Sequence, residues 1–188
     1  MLASRRIVLG VSGSIAAYKS AALVRLLIKA EAEVQVILTP SASAFVTPLT
    51  LATLAKRPVL QGFIKDEAGG LWHNHVELGL WADALLIAPA SANTLACLAQ
   101  GLCPNLLTAV YLSARCPTLV APAMDLDMYQ HRATQRNLQQ LRQDGVQVLD
   151  SPAGELASGL TGPGRMLEPE DIVRALEAFF ADIPPRSS

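Results

Sequence analysis

The sequence has no excess charge of either sign. Its 15 Lys and Arg against 16 Asp and Glu leave a formal net charge of −1, so nothing argues for nucleic acid as a partner. Long apolar runs are also missing. None reaches the roughly 18 residues that a bilayer span needs, so no membrane partner is expected. The N-terminal Met1 to Arg6 runs straight into a strand pattern, so no cleaved signal peptide is expected. Cysteine is sparse, with Cys97, Cys103 and Cys116 and no CxxC pair. An odd, scattered set is not a disulfide framework, and a reducing cytoplasm is the expected location. Each cysteine reads as a small buried hydrophobe. Two of the three histidines, His73 and His75, lie two apart. No carboxylate–cysteine cluster accompanies them, so no metal is expected, and His73 reads as a surface residue. The sequence also lacks an internal repeat, a GxGxxG fingerprint and a P-loop GK[ST] ending.

What is present is apolar and alternating. Hydrophobic residues make up 51% of the chain and charged residues 16%. Some of that excess is expected in subunit contacts. A chain of 188 residues fits one domain and hides roughly 70% of its unfolded surface. Apolar runs at 7–10, 34–38, 84–88, 118–120 and 146–149 read as strands buried on both faces. Between them, 15–30, 43–54, 92–102, 106–113 and 128–144 read as helices, with Pro48 weakening the second. Gly145 stops the 128–144 helix. Pro169 opens a last helix running to about residue 181, with acids in its first turn. This order predicts an α/β fold with a mostly parallel sheet between two helical layers. One domain is expected over 1–182, with a loose tail over 183–188. Ligands in such folds sit beyond the carboxyl ends of the strands. The unusual segments 10–14, 39–45, 88–94 and 121–125 all fall there, and 62–76 and 151–167 are long irregular stretches of the kind that form lids.

Three segments carry chemistry. Gly10-Val11-Ser12-Gly13-Ser14 ends the first strand, where glycines allow close backbone approach and the following helix start offers amides to a phosphate. A glycine–serine turn after a strand is common, so the loop alone does not specify a phosphate ligand. Ser91, Asn93 and Thr94 crowd three polar groups at another helix start, where one cap residue would suffice. The third is His75 within HVELGLW.

The ordered segments GVSGSIAAYKS, HVELGLWADALLIAPASANT, PAMDLDMY and GELASGLTGPGRM resemble the homo-oligomeric flavin-containing cysteine decarboxylases. Within these the chain is most similar to the bacterial phosphopantothenoylcysteine decarboxylases of coenzyme A biosynthesis. The resemblance spans about residues 5–175, and a synthetase domain fused in many bacterial versions is expected to be absent. It implies a three-layer, Rossmann-like or flavodoxin-like sandwich, FMN as cofactor, a small cysteinyl substrate, and a trimer or dodecamer with the cofactor between subunits. It implies that the thiol-bearing carbon gives a hydride to FMN, that CO2 leaves from the resulting thioaldehyde, and that an enethiol remains. In the coenzyme A enzymes the enethiol is then reduced, with a flap supplying a cysteine. The resemblance puts the catalytic histidine on His75. Cofactor contacts fall on Gly10, Ser12, Gly13, Ser14, Thr39, Ser41, Ser91, Ala92, Asn93, Thr94 and Ala123. Asp125, Met128 and Arg165 fall on the substrate side, and the flap on 154–166.

Two positions depart from the family. Pro122-Ala123-Met124-Asp125 stands where the family has PxMN, and Ala157-Ser158-Gly159 stands where the coenzyme A enzymes have ACG. An ionised Asp125 about 4 Å from a substrate carboxylate meets roughly 4 kcal/mol of repulsion at an effective dielectric near 20. It requires a neutral acid or a substrate that lacks that carboxylate. Ser158 has similar size to cysteine but no thiol acidity or redox chemistry. Asp125 and Ser158 therefore hold the catalytic positions with altered groups. The alternative is an FMN-binding or regulatory homologue whose activity is changed or lost. A prenyl-transferring flavoprotein of related fold is the third reading, and the PAMD and flap segments match it less well.

Overall fold

The computed structural model describes residues 2–66, 68–181 and 183. The expected tail at 184–188 lies outside them. β1 (Arg6–Val11) leads through a 3-10 turn, Ile15–Lys19, to α1 (Ser20–Lys29). β2 (Glu33–Leu38) leads through a second 3-10 turn, Pro40–Ala44, to α2 (Pro48–Ala55). β3 (Ile64–Asp66) and β4 (Leu71–Trp72) form a small hairpin before α3 (His75–Trp81). β5 (Ala84–Ala90), α4 (Ala92–Gln100), α5 (Leu106–Ser113) and β6 (Thr118–Pro122) follow. Then come α6 (Leu126–Gln130), α7 (Arg132–Gln143) and β7 (Gln147–Val148). β8 (Gly154–Glu155) and β9 (Thr161–Gly162) form a second hairpin, and α8 (Pro169–Phe180) follows it.

The strand order is β2-β1-β5-β6-β7, and every pairing in that sheet is parallel. Parallel neighbours need crossovers, and helices supply them on both faces. Ile7, Leu9 and Val11 of β1 face a core closed by α1, α2 and α8. Val8 and the alternate β5 residues Leu85 and Ile87 face a second core closed by α4, α5 and α7. All seven β5 residues are buried, which is why its sequence never alternates with polar residues. The chain moves from β1 outward to β2 and then crosses back past β1 to β5, so the direction of winding reverses between β1 and β5. The crevice at the carboxyl ends of β1 and β5 is therefore the switch point where such sheets bind ligands.

Several boundaries differ from expectation. The 15–30 helix starts as a 3-10 turn and becomes α-helical at Ser20. The 43–54 helix is a 3-10 turn followed by a helix that Pro48 begins, its fixed φ suiting the first position. The 128–144 helix is broken at His131, whose backbone is extended (ψ 135°) and whose Nδ1 accepts from Ala133 N at 3.1 Å. The last strand is only two residues long. The two hairpins lie in stretches read as irregular, and α3 overlaps the first of these only at His75 and Val76. Cys103 is exposed rather than buried, while Cys97 is buried and its thiol is pushed up in pKa by desolvation. Among the described residues, no helix is long and apolar enough to cross a membrane, and no group of three or more His, Cys, Asp or Glu could hold a metal ion.

Candidate functional site

A cavity of about 590 Å³ opens at this switch point, lined by Gly13, Ser14, Ser91, Ala92, Ala123, Asp125 and the 155–158 hairpin among others. Two loops build its floor, and Ser12 locks them together. Its hydroxyl donates to Pro89 O at 2.8 Å and accepts from Ser91 N at 2.8 Å. Its amide also donates to Pro89 O, at 3.2 Å. Ser12 is fully buried, so it positions the loop and has its hydroxyl already engaged on both sides. Gly10 lies inside β1, where a Cβ would come within 2.4 Å of Leu107, so its role is helix–sheet packing. At Gly13 a Cβ would meet Ser41 Oγ at 2.4 Å and Ser41 Cβ at 2.6 Å. Thr39 and Ser41, whose hydroxyls lie 3.3 Å apart, back this loop from outside the cavity.

The loop lines the cavity through Gly13, Ser14 and Ile15. Ser14 caps the turn, its hydroxyl accepting from Ala16 N at 3.3 Å. Among the described residues, no acceptor is seen for the amides of Gly13, Ser14 and Ile15. The second helix start, Ser91 and Ala92 at α4, faces the same space. Ser91 accepts from Thr94 N at 3.3 Å and donates to Thr94 Oγ1 at 3.2 Å. Thr94 is thereby buried and used in the cap, and Asn93 is exposed off the cavity wall. The amides of Gly13, Ser14 and Ile15, beside a second helix start whose Ser91 amide is held by Ser12 and with no acidic side chain in either loop, fit a phosphate.

The cavity lining also carries charges, at Lys19, Asp125, Glu155 and Arg165. Asp125 Oδ1 accepts from Leu126 N at 2.6 Å, and Met128, half exposed, follows one turn later. Met124 N donates to Gly164 O at 3.0 Å, which brings Arg165 beside Asp125 in the lining. Lys19, which sequence reasoning missed, is 9% exposed and lines the cavity. Its Nζ pairs with Glu168 Oε1 at 2.7 Å, and Arg165 Nη2 reaches the same oxygen at 3.2 Å. The hydrogen bond from Lys19 is the main reason that the Glu168 carboxyl lies below its ordinary pKa. The available signal was a single lysine among small and apolar residues at 15–24. Ile15, Tyr18 and Met124 also line the cavity without having been singled out, and Glu155 and Met166 line it as part of the expected flap at 154–166.

The flap is the β8–β9 hairpin. Leu156 N donates to Leu160 O at 2.8 Å, and Gly159 takes φ +86° at its tip. Ser158 is exposed there, its hydroxyl accepting from Leu160 N at 3.4 Å. Ser151 anchors the base by accepting from Gly164 N at 3.0 Å and donating to Arg165 O at 2.8 Å. Gly164 has φ +134°, and a Cβ there would lie 2.4 Å from Met124 O. A Gly164→Ala variant is expected to lose about 3 kcal/mol from backbone strain and overpacking together. Urea unfolding checks this, and a loss under about 0.5 kcal/mol would show that the flap base is not rigid.

His75 stands apart from this cavity. It opens α3, whose cap is Asn74 accepting from Val76 N at 3.0 Å and Glu77 N at 3.3 Å. Its ring packs against Phe63 and Trp72, at centroid distances of 6.2 and 5.8 Å. Its Nδ1 is buried without a hydrogen-bond partner. Around it Trp72, Val76, Leu80 and Leu112 are exposed. Within one chain the structure thus joins the Gly13–Ser14 loop, Ser91, Ala92, Ala123, Asp125, Met128, Ser158 and Arg165. It leaves His75, Gly10, Ser12, Thr39, Ser41, Asn93 and Thr94 outside the lining.

Known proteins are similar to this chain in sequence and fold. A cysteine/cysteine sulfinic acid decarboxylase of an unknown prokaryotic organism is 57% identical over 136 residues, covering 72% of this chain and 38% of that protein. The coenzyme A biosynthesis bifunctional protein CoaBC of Haemophilus influenzae is 46% identical over 180 residues, covering 96% of this chain and 45% of that protein. The chain thus spans less than half the length of these curated relatives. Among solved structures, a PPC decarboxylase mutant complexed with pantothenoylaminoethenethiol superposes with TM-score 0.84 at 36% identity, covering 95% of this chain and all of that one. The FMN binding protein AtHal3 gives TM-score 0.83 at 35% identity, over 97% of this chain and all of that one. The fold is therefore the flavodoxin-like three-layer sandwich of these neighbours. The family model described as Flavoprotein matches residues 1–181, and the chain belongs to that family.

Proposed function

We propose that this chain is an FMN-binding decarboxylase of a cysteine-type carboxylate, on the pattern of the phosphopantothenoylcysteine decarboxylases of coenzyme A biosynthesis. The observation that carries this reading is the single cavity in which the amide-rich loops at Gly13–Ser14 and Ser91–Ala92 face Asp125 and the flap hairpin. The loops fit the FMN phosphate. The bound flavin would supply the hydride acceptor that thiol-carbon oxidation requires. The chain's own part is to hold that phosphate, seat the substrate between the loops and Asp125, and cover it with the flap at 154–166. Excluding water there strengthens every charge interaction in the site. The relatives named for PPC and for cysteine share the same chemical handle, a carboxylate on a cysteine carbon.

His75 completes the site in this reading only if another copy brings it there. The exposed apolar residues around it support a homo-oligomer, of trimer or dodecamer type, with each cavity shared between subunits. One flavoprotein domain over 1–182 in a reducing cytoplasm belongs to the same reading. Ser158 favours a modified outcome, in which turnover stops at the enethiol, or a subunit that binds flavin without turnover. The test is direct. The purified protein is expected to show a flavin spectrum and to release CO2 from phosphopantothenoylcysteine or a simpler cysteine carboxylate. A colourless protein, or a flavin-loaded one releasing CO2 from none of them, would end the decarboxylase reading.

A further inference from the structure

From the charges of the cavity we infer that Asp125 selects a substrate with a free ammonium group beside its carboxylate, an unacylated cysteine rather than an N-acylated one. The inference rests on the decarboxylase reading and narrows its substrate class. Two cations line the cavity, Lys19 and Arg165, and both are turned onto one carboxylate oxygen of Glu168. Asp125 pairs with neither. Its Oδ1 caps Leu126 N, and no partner is seen for Oδ2 among the described residues. Glu155, the other acid of the lining, is exposed on the flap. The cavity therefore presents an unpaired anion where an N-acylated cysteine offers only a carboxylate and a neutral amide.

An unacylated cysteine changes the match. Its ammonium and carboxylate sit on the same carbon, so a side chain reaching one reaches the other. An asparagine amide there would donate to the carboxylate, whereas the Asp125 carboxylate accepts from the ammonium. That hydrogen bond is charge-assisted on both sides, the strongest class in such a site. It also offsets the repulsion between Asp125 and the substrate carboxylate, which an acyl group on nitrogen leaves in full. Specificity of this kind combines a new attraction for one substrate with a penalty on its competitor.

The experiment compares matched pairs on the flavin-loaded protein. CO2 release from carboxyl-labelled L-cysteine is expected to exceed that from N-acetyl-L-cysteine by about 100-fold in kcat/KM, or about 2.8 kcal/mol. Calorimetry on the same protein is expected to show cysteamine binding at least about 10-fold more tightly than N-acetylcysteamine. In the Asp125→Asn variant both preferences should vanish or reverse, and in Asp125→Glu they should persist. Equal or better use of N-acetylcysteine or phosphopantothenoylcysteine by the unaltered protein would overturn the inference while leaving the decarboxylase reading intact. A preference for cysteine that survives Asp125→Asn would overturn it too. Should no substrate lose CO2, the decarboxylase reading fails. The cysteamine comparison then decides the ammonium preference independently of turnover and, if that variant fails to fold, independently of Asp125→Asn.

Discussion

Gly13→Ala is expected to strip the flavin from the protein. The new Cβ would lie 2.4 Å from Ser41 Oγ and 2.6 Å from Ser41 Cβ, with the Ser41 carbonyl carbon at 3.1 Å. A hydroxyl can rotate away, but a Cβ and a backbone carbon cannot, and Ser41 sits inside the Pro40–Ala44 turn. The loop must therefore move, and the amides of Gly13, Ser14 and Ile15 move with it. Hydrogen bonds to a charged acceptor are worth about 1.5–3 kcal/mol each. Misaligning two of them costs about 3 kcal/mol or more, a loss of at least about 100-fold in affinity. The measurement is the flavin absorbance retained through gel filtration, followed by titration of the apoprotein with FMN. Adding Ser41→Gly makes room for the alanine and should restore most of the binding. Affinity within about 3-fold of the starting protein would mean that this loop does not hold the phosphate.

That prediction uses a contact no sequence pattern discloses. The Gly13 loop was legible because a strand ends in glycine and serine just before a helical pattern. Its dependence on Ser41 was not, since the two belong to different crossovers that meet only once β1 and β2 pair. Ser12 shows the same limit. Its hydroxyl looked like a phosphate donor, but a fully buried hydroxyl between Pro89 O and Ser91 N is a brace. Gln35 and Gln147 interrupt the two outer strands, but the five parallel strands were readable from their largely apolar runs. The hairpins at 64–72 and 154–162 were not, because strands of two or three mostly exposed residues leave no alternation to detect. Lys19 and Glu168 were missed for another reason. Each is unremarkable alone, and only the packing of α8 beside the first turn makes an ion pair of the buried Lys19 and the half-exposed Glu168. His75 drew attention through its motif, but its separation from the cavity within one chain is a fact of the fold.

The flap residue Ser158 should decide what leaves the active site. It stands on an exposed hairpin tip that lines the cavity, so Ser158→Cys changes chemistry there without touching the core. Its effect on stability is expected within about 0.5 kcal/mol. Loss of CO2 needs no acid from the flap, so its rate should stay the same. Converting the enethiol to a saturated thiol is different, because its carbon must gain a proton as well as a hydride. A serine hydroxyl is a far weaker acid than a thiol, whose pKa near 8.5 suits proton transfer near neutrality. A well-placed general acid contributes about 10²–10⁴-fold. In air, where dissolved oxygen takes the two electrons back from the reduced flavin, the unaltered protein is therefore expected to release mainly the unsaturated product, two hydrogens lighter than the thiol. The Ser158→Cys variant should raise the yield of saturated thiol by at least about 100-fold, as read by product mass. If the unaltered protein already makes the saturated thiol as fast as the variant, some other group on this chain supplies the proton. The flap then serves only as a cover. If both proteins stop at the enethiol, the missing donor is not the thiol alone, and the search moves to His75 and the subunit that would carry it.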